Sequence, residues 1–118
     1  METGINLITK ERKRQIEYEG WSADHDDEHT NCELARVAAC YAACEDGEAL
    51  WEDLHIGTMN TDGAHLQRVY PPNWNEFWDK RRKHSRIRRL VIAGALIAAE
   101  IDRLARAKRR RDYMVGRK

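Results

Sequence analysis

The sequence has little of what interrupts or cross-links a chain. Its 118 residues include two prolines, which are adjacent at Pro71 and Pro72. Proline breaks a helix because it lacks the amide donor and its ring clashes with the preceding turn. The chain on either side of this pair is therefore open to helix formation. Cys32, Cys40 and Cys44 make an odd number of cysteines, and the last two lie one helical turn apart, a spacing that disfavours a strain-free disulfide, so we expect free thiols.

Long apolar runs are also missing. The most apolar segment is Leu90–Ala99, with ten residues, whereas a helix needs about 20 to cross a bilayer. Residues 1–10 have no apolar core of a secretory signal. These features predict a cytoplasmic protein with no membrane segment.

Charge is separated along the chain. Residues 1–79 carry 6 Lys or Arg against 17 Asp or Glu, a net charge of −11, while residues 80–118 carry 15 against 3, a net charge of +12. The net charge of the whole chain is +1. Such a separation is typical of a protein that binds nucleic acid, of one that binds an acidic partner, or of one whose two parts pair with each other.

Apolar periodicity predicts one all-α domain over residues 1–118, a compact bundle of three to four helices around a long C-terminal helix. That helix begins near Ser85, and residues 112–118 are expected to fray. Small residues from Ala93 to Ala99 would let other helices approach closely. The same surface, at Gly94 and Ala98, would also suit a homodimer. The stripe expected to face the core consists of Leu90, Val91, Gly94, Leu96, Ile97, Ile101 and Leu104.

Two further helices are predicted before it. A charged first helix ends at Glu19, and Gly20 supplies the left-handed residue that commonly follows a helix. Thr30 and Glu33 have the spacing of a capping box, so a second helix is expected to begin there. Its core face would consist of Leu34, Val37, Ala38, Tyr41 and Ala42.

The segment His25–His29 is the densest cluster of ligand-type side chains, with two histidines and three acids. We expect a loop here, so the two imidazoles need not share a helical face. Two interpretations of this cluster remain: a metal site, or a solvated acidic loop that pairs with Arg or Lys. No nucleophile with an evident base and no glycine-rich phosphate loop is present, so nothing supports an enzyme and no cofactor is expected. Cys40 suits a small core residue better than a nucleophile.

A basic run, Lys80–Arg89, follows three aromatic residues, Trp74, Phe77 and Trp78. Positive charge beside stacking surface is typical of sites for single-stranded nucleic acid and nucleotides. The alternative is that the arginines form a solvated helix face and the aromatic side chains cover the core.

The residues described above carry a resemblance to a small family encoded by bacteriophages and prophages. It extends over most of the chain and rests on these segments: Glu11–Gln15, Glu19–Trp21, His25–His29, Glu33–Ala35 with Ala38–Ala42, Trp74–Trp78 and Ala93–Ile101. The resemblance implies a protein that acts in the cytoplasm of the host cell, and it implies no established activity.

Two wider resemblances concern nucleotides. The Gly20-Trp21 turn with Asp26-Asp27 is similar to the ryanodine-receptor repeat (RyR) domain, and prokaryotic domains of that kind are suspected of sensing nucleotide-derived signals. The charged first helix and the alanine-rich last helix are similar to MazG-type nucleotide pyrophosphohydrolases. Those enzymes bind magnesium through a Glu-x-x-Glu pair, whereas the second helix here offers Glu33 alone.

The leading hypothesis is a phage accessory protein that binds a nucleotide or nucleotide-derived signalling molecule without catalysis and so counters a host defence. Tryptophan would stack on the base and arginine would neutralise phosphate. The alternatives are a module that binds a host protein and a divergent MazG-like pyrophosphohydrolase. The candidate ligand-binding residues are Arg12, Arg14, Trp21, His25, Asp26, Asp27, His29, Trp74, Trp78 and Arg82.

Overall fold

The structure is a computed structural model, and it describes residues 2–43, 55–56, 67–68, 71 and 84–116. These residues form α1 (Gly4–Glu17), α2 (Ala23–Asp27), α3 (Glu33–Ala43), a two-residue antiparallel pair of β1 (His55–Ile56) and β2 (Gln67–Arg68), and α4 (Arg86–Gly116). His55 pairs with Arg68, and Ile56 with Gln67. The predicted fold class is confirmed: the described part is an all-α bundle in which α1, α2 and α3 pack against the long α4.

The ends of α1 and α4 follow local sequence signals. The Thr3 hydroxyl accepts from the Asn6 amide at 3.2 Å and caps α1, and the Ser85 hydroxyl accepts from the Arg88 amide at 3.3 Å before α4. After α1, Gly20 has φ +72°, which only glycine adopts without strain. The Trp21 amide then donates to the Gln15 carbonyl at 2.9 Å, so the chain folds back on the helix.

Three helix boundaries differ from the prediction. α1 ends at Glu17, two residues before the predicted Glu19. α3 begins at Glu33, so Thr30 is not its cap; the Glu33 carboxylate instead accepts from the Asn31 amide, and Glu33 is buried. α4 continues to Gly116, past the point where we expected fraying.

The core lies between α3, α4 and the turn after α1. Leu34, Val37, Ala38 and Tyr41 of α3 are buried as predicted, and Cys40 is buried among them. The members of the core cluster are Trp21, Leu34, Val37, Ala38, Cys40, Tyr41, Ile92, Ala93, Leu96 and Ala99.

Small residues on α4 permit a close helix crossing, as the sequence suggested. A Cβ atom added to Gly94 would lie 2.5 Å from Cδ1 of Ile8, so the Ile8 side chain occupies the space that any larger residue would need. This contact joins the middle of α4 to the first half of α1.

The prediction of which face of α4 forms the core was wrong. Val91 and Leu96 are buried, but Leu90, Ile97, Ile101 and Leu104 are exposed. The residues that face α1 and α3 include Ile92, Ala95 and Ala99. Between residues 87 and 104 this helix is apolar on both faces, and periodicity alone cannot say which face the shorter helices cover.

Candidate functional site

The end of α1 carries a compact group of charges that faces α4. Arg14 donates to both oxygens of Glu11, from Nε at 2.7 Å and from Nη2 at 3.0 Å. Its third bond runs from Nη1 to Glu19 at 2.9 Å. Arg88 of α4 also donates to Glu11. The two carboxylates and the two guanidinium groups therefore cancel in formal charge.

Burial and ion pairing oppose each other at Glu11. Burial alone raises the pKa of its carboxyl, but the hydrogen bonds and the positive charges of Arg14 and Arg88 outweigh it, so the pKa lies below the ordinary value. The hydrogen bond to Glu11 chiefly raises the pKa of Arg14, which remains a cation at any physiological pH. The group is thus ionised and fixed in geometry.

A cleft of about 300 Å³ opens beside this charge group. It lies between the end of α1, the turn that follows, α3 and the start of α4. Its polar wall consists of Glu11, Arg14, Gln15 and Glu19, and its aromatic and apolar wall consists of Trp21, Tyr41, His84 and Ile92. Most of this volume is open solvent above the cleft, so the cleft is a shallow depression whose enclosed space is about that of one water molecule.

Gln15 is the notable residue of the polar wall. Its side chain is wholly buried, and Nε2 donates to Glu11 at 3.2 Å. Within the described ranges no donor reaches Oε1. A buried acceptor without a donor costs about 1–3 kcal/mol, and because this oxygen has no accessible surface it belongs to the interior of the cleft wall and is out of reach of a ligand in the cleft.

The segment predicted as a loop, His25–His29, in fact begins within helix α2, and this part of the prediction was wrong. The Ser22 hydroxyl caps α2 by accepting from the His25 amide at 3.3 Å. The rings of Trp21 and His25 are stacked, with centroids 5.7 Å apart and planes 4° from parallel. The ring of His29 meets that of His25 edge-on at 4.9 Å. One turn of helix therefore aligns three rings in a row.

Two acids of this segment, Asp26 and Asp27, pair with arginines, as the solvated-loop interpretation expected, but Asp26 is not solvated. Asp26 is wholly buried and accepts from Arg12 Nη2 at 2.8 Å. Its second oxygen lies 3.0 Å from His25 Nδ1. The ring of His29 lies 3.0 Å from the Glu33 carboxylate. These contacts tie α2 to α1 and to the start of α3.

Asp27 joins α2 to the distal part of α4. Its carboxylate accepts from Arg106 at 2.8 Å and from Arg110 at 3.4 Å. The hydrogen bond from Arg106 is the main reason that the pKa of Asp27 lies below its ordinary value. The acidic and basic parts of the chain thus meet within one molecule at this point.

Not all of the candidate ligand-binding residues come together. Arg14 and Trp21 line the same cleft. Arg12, His25, Asp26, Asp27 and His29 instead form the ion pairs and ring contacts that attach α2. Arg12 Nε and Nη1 are buried and meet no acceptor in the described part of the chain. Trp74 and Trp78 lie outside the described residues, as does the first part of the basic run, residues 80–83, which includes Arg82.

Sequence reasoning missed part of the cleft. Gln15 follows Glu11 by four residues, so their shared helical face could have been read from the sequence. Tyr41 and His84 are brought to the cleft by α3 and by the residues just before α4. No local signal places them beside α1, because they are 26 and 69 residues from Gln15 in the chain.

No family model matches the chain, and no curated protein or solved structure matches it either. Among the described side chains no group of three or more His, Cys, Asp or Glu is placed to hold a metal ion. None of the described helices is long and apolar enough to cross a membrane. The geometry of the cleft and its charges therefore carries the functional argument.

Proposed function

We propose that this protein binds a nucleotide or a nucleotide-derived signalling molecule without catalysis, and that the surface around the cleft beside α1 takes part in binding. The supporting observation is that Arg14 and Trp21, a phosphate-binding and a base-binding type of side chain, border the same cleft.

The charge balance of the cleft also suits a base. Arg14 and Arg88 neutralise Glu11 and Glu19, so a neutral ring meets no unpaired charge at this wall. Trp21 and Tyr41 border the other side of the cleft, where they are 6% and 3% exposed, so a base would meet the exposed edges of their rings. Recognition by hydrogen bonding and edge contact needs no free cation inside the cleft.

Arg14 is the residue that would meet a phosphate at the rim. Its three bonds to Glu11 and Glu19 use three of the five N–H groups of a guanidinium. Its side chain is 39% exposed. The remaining N–H groups can therefore bind a phosphate oxygen without breaking the ion pairs.

The resemblance to phage-encoded proteins suggests a context for this binding. A small protein that sequesters a signalling nucleotide lowers the free concentration of that signal. During infection this would counter a host defence that depends on the signal.

The direct test is thermal unfolding of the parent protein against a panel of mononucleotides, dinucleotides and cyclic nucleotides. A ligand at about ten times its dissociation constant adds about 1.4 kcal/mol to the free energy of unfolding, which corresponds to a rise in Tm of about 4 °C or more. We expect such a rise with at least one class. No change in Tm across the whole panel would refute the proposal.

Two variants locate the site once a ligand responds. Trp21→Phe keeps an aromatic ring but reduces its surface at the cleft, and Arg14→Lys removes the planar fork. Each should weaken binding about tenfold or more by isothermal titration calorimetry. Arg109→Lys changes an exposed arginine on α4 and is the matched control. Unchanged affinity in both cleft variants would place the ligand elsewhere.

A further inference from the structure

The last part of α4 projects from the rest of the described fold. Residues 108–116 are all helical and all exposed, on every side of the helix. At 1.5 Å per residue this segment is about 13 Å long, and we call it the α4 tip. The last buried residue of α4 is Arg103, so the tip does not contribute to the core. Its whole surface is therefore accessible to a partner.

The α4 tip is basic on all sides. The segment Lys108–Arg111 consists of four consecutive cations, so at 100° per residue their side chains point in four directions around the helix. Asp112 is the only acid in the sequence of the tip. Four cations in four residues give about one positive charge per 1.5 Å of helix axis, close to the one negative charge per about 1.7 Å of duplex DNA. The tip therefore matches a duplex in charge density as well as in sign.

Two arginines at the base of this basic segment are paired within the molecule. Asp27 of α2 accepts from Arg106 at 2.8 Å and from Arg110 at 3.4 Å. Lys108 and Arg111, in contrast, make no ion pair with the described part of the chain. Their charges are available to an external anion, whereas Asp27 would compete with such an anion for the two paired arginines.

The position of the unpaired cations favours nucleic acid over a membrane surface. A helix that lies on a membrane needs one apolar face without charge. Lys108 follows Leu104 by four residues and Arg111 follows it by seven, so both cations lie on the same helical face as Leu104. The tip thus has no uncharged face. An α-helix with its side chains is about 10–12 Å across, and the major groove of B-form DNA, about 12 Å wide, admits one.

We propose that the α4 tip docks on duplex DNA by entering the major groove, where the phosphates of both strands lie at its sides, and that Asp27 competes with these phosphates for Arg106 and Arg110. Lys108 and Arg111 bind phosphates directly. Phosphate contacts carry no sequence information, so the binding is independent of base sequence. The tip begins about 30 Å along α4 from Arg88, which belongs to the charge group beside the cleft, so this surface is separate from the proposed nucleotide site.

The first experiment measures the fluorescence anisotropy of a labelled DNA duplex, titrated with the full chain at several salt concentrations. The parent should bind with a dissociation constant of about 1–100 μM at physiological salt, the range of sequence-independent binding. The double variant Lys108→Gln with Arg111→Gln should bind about tenfold more weakly or worse, and the slope of log K against log salt should fall by about 2. Lys13→Gln removes an exposed cation of α1 and is the control. A parent that does not bind, or a double variant that binds as the parent does, would overturn the proposal.

The second experiment tests the competition by Asp27. Asp27→Asn releases Arg106 and Arg110 from their counter-ion, so it should strengthen DNA binding about threefold or more and make it more sensitive to salt. Asp24→Asn, on the exposed side of α2, removes an equal charge without releasing a cation of α4 and should bind as the parent does. Equal affinities of the two variants would reject the competition.

Two other polyanions test the mode of binding. The major groove of duplex RNA is too deep and narrow to be read by side chains, so duplex RNA of the same length should bind at least threefold more weakly than DNA. Equal affinity for the two duplexes would reject entry into the groove. Vesicles of phosphatidylcholine and phosphatidylserine should not sediment the protein at physiological salt. Binding to these vesicles without binding to duplex DNA would overturn the proposal in favour of a lipid surface.

Discussion

Arg12 of α1 and Asp26 of α2 form an ion pair of 2.8 Å in which the carboxylate is wholly buried and the guanidinium side chain is 14% exposed. Asp26→Asn keeps the size of the side chain and removes its charge, leaving the Arg12 cation without a counter-ion. We expect a loss of about 3 kcal/mol in the free energy of unfolding, measured by urea denaturation. Asp24→Asn, on the exposed side of α2, should change it by less than about 0.5 kcal/mol. Equal urea midpoints for the two variants would show that the Arg12 pair does not support the fold.

Leu96 and Ile97 are neighbours in sequence with opposite surroundings. Leu96 is wholly buried in the core and Ile97 is 48% exposed. Leu96→Ala should therefore cost about 2–5 kcal/mol, and Ile97→Ala about 1 kcal/mol or less. Urea unfolding of the two variants beside the parent gives the comparison. A larger loss for Ile97→Ala would mean that the core lies on the other face of α4.

Gly94 tests the crossing of α1 over α4. Alanine is the better helix former by about 1 kcal/mol, yet its Cβ would lie 2.5 Å from Ile8 Cδ1. Gly94→Ala should thus be destabilising by about 1–2 kcal/mol in the parent, since overpacking outweighs propensity. In an Ile8→Ala background the same change should become stabilising, and thermal unfolding of the four proteins measures the reversal of sign.

Gly116 provides a control for that cycle, because a Cβ there has nothing within 4 Å. Gly116→Ala should be neutral or slightly stabilising in either background. If Gly94→Ala has the same effect with and without Ile8, the two residues are not in contact.

Glu11 makes stability depend on pH. Its folded pKa lies below the ordinary value of 4.5 because Arg14 and Arg88 outweigh its burial. The unfolded chain therefore binds the proton more readily, so the contribution of the ion pairs is complete above about pH 4.5 and is lost as the pH falls through the folded pKa. Glu11→Gln removes this dependence. The difference in free energy of unfolding between parent and variant should be about 2 kcal/mol near pH 7 and should shrink towards about pH 3.

Glu17→Gln is the control for the pH series, since Glu17 is exposed on the same helix. Its free energy of unfolding should follow the parent at every pH. A Glu11→Gln difference that stays constant with pH would show that the ion pairs are not what the proton disrupts.

Much of the fold could be predicted because its signals are local. Thr3 and Ser85 cap their helices through hydroxyls three residues from the amides they bind. Gly20 is needed because its backbone has positive φ. The buried face of α3 follows from apolar residues at helical spacing. Each of these features depends on side chains within one or two turns, so the sequence contains all the information needed.

The candidate site could be predicted only in part. The sequence named Arg14 and Trp21 as candidate binding residues, but the cleft that they share depends on Tyr41 and His84. The short helix α2 was missed because five residues carry too weak a periodic pattern. Its stability comes from the Ser22 cap and from long-range ion pairs such as that between Asp27 and Arg106.

The sequence by itself determined that α4 would be a long helix, that small residues would let another helix approach it, and that the described fold would be all-α. Only the tertiary structure decided which face of α4 became the core. Ile97 and Leu96 are equally apolar, and a helix that is apolar on both sides has no local preference between them. The buried face is the one that α1 and α3 both contact. Ile8 of α1 lies against Gly94, and Leu96 packs among the core residues of α3.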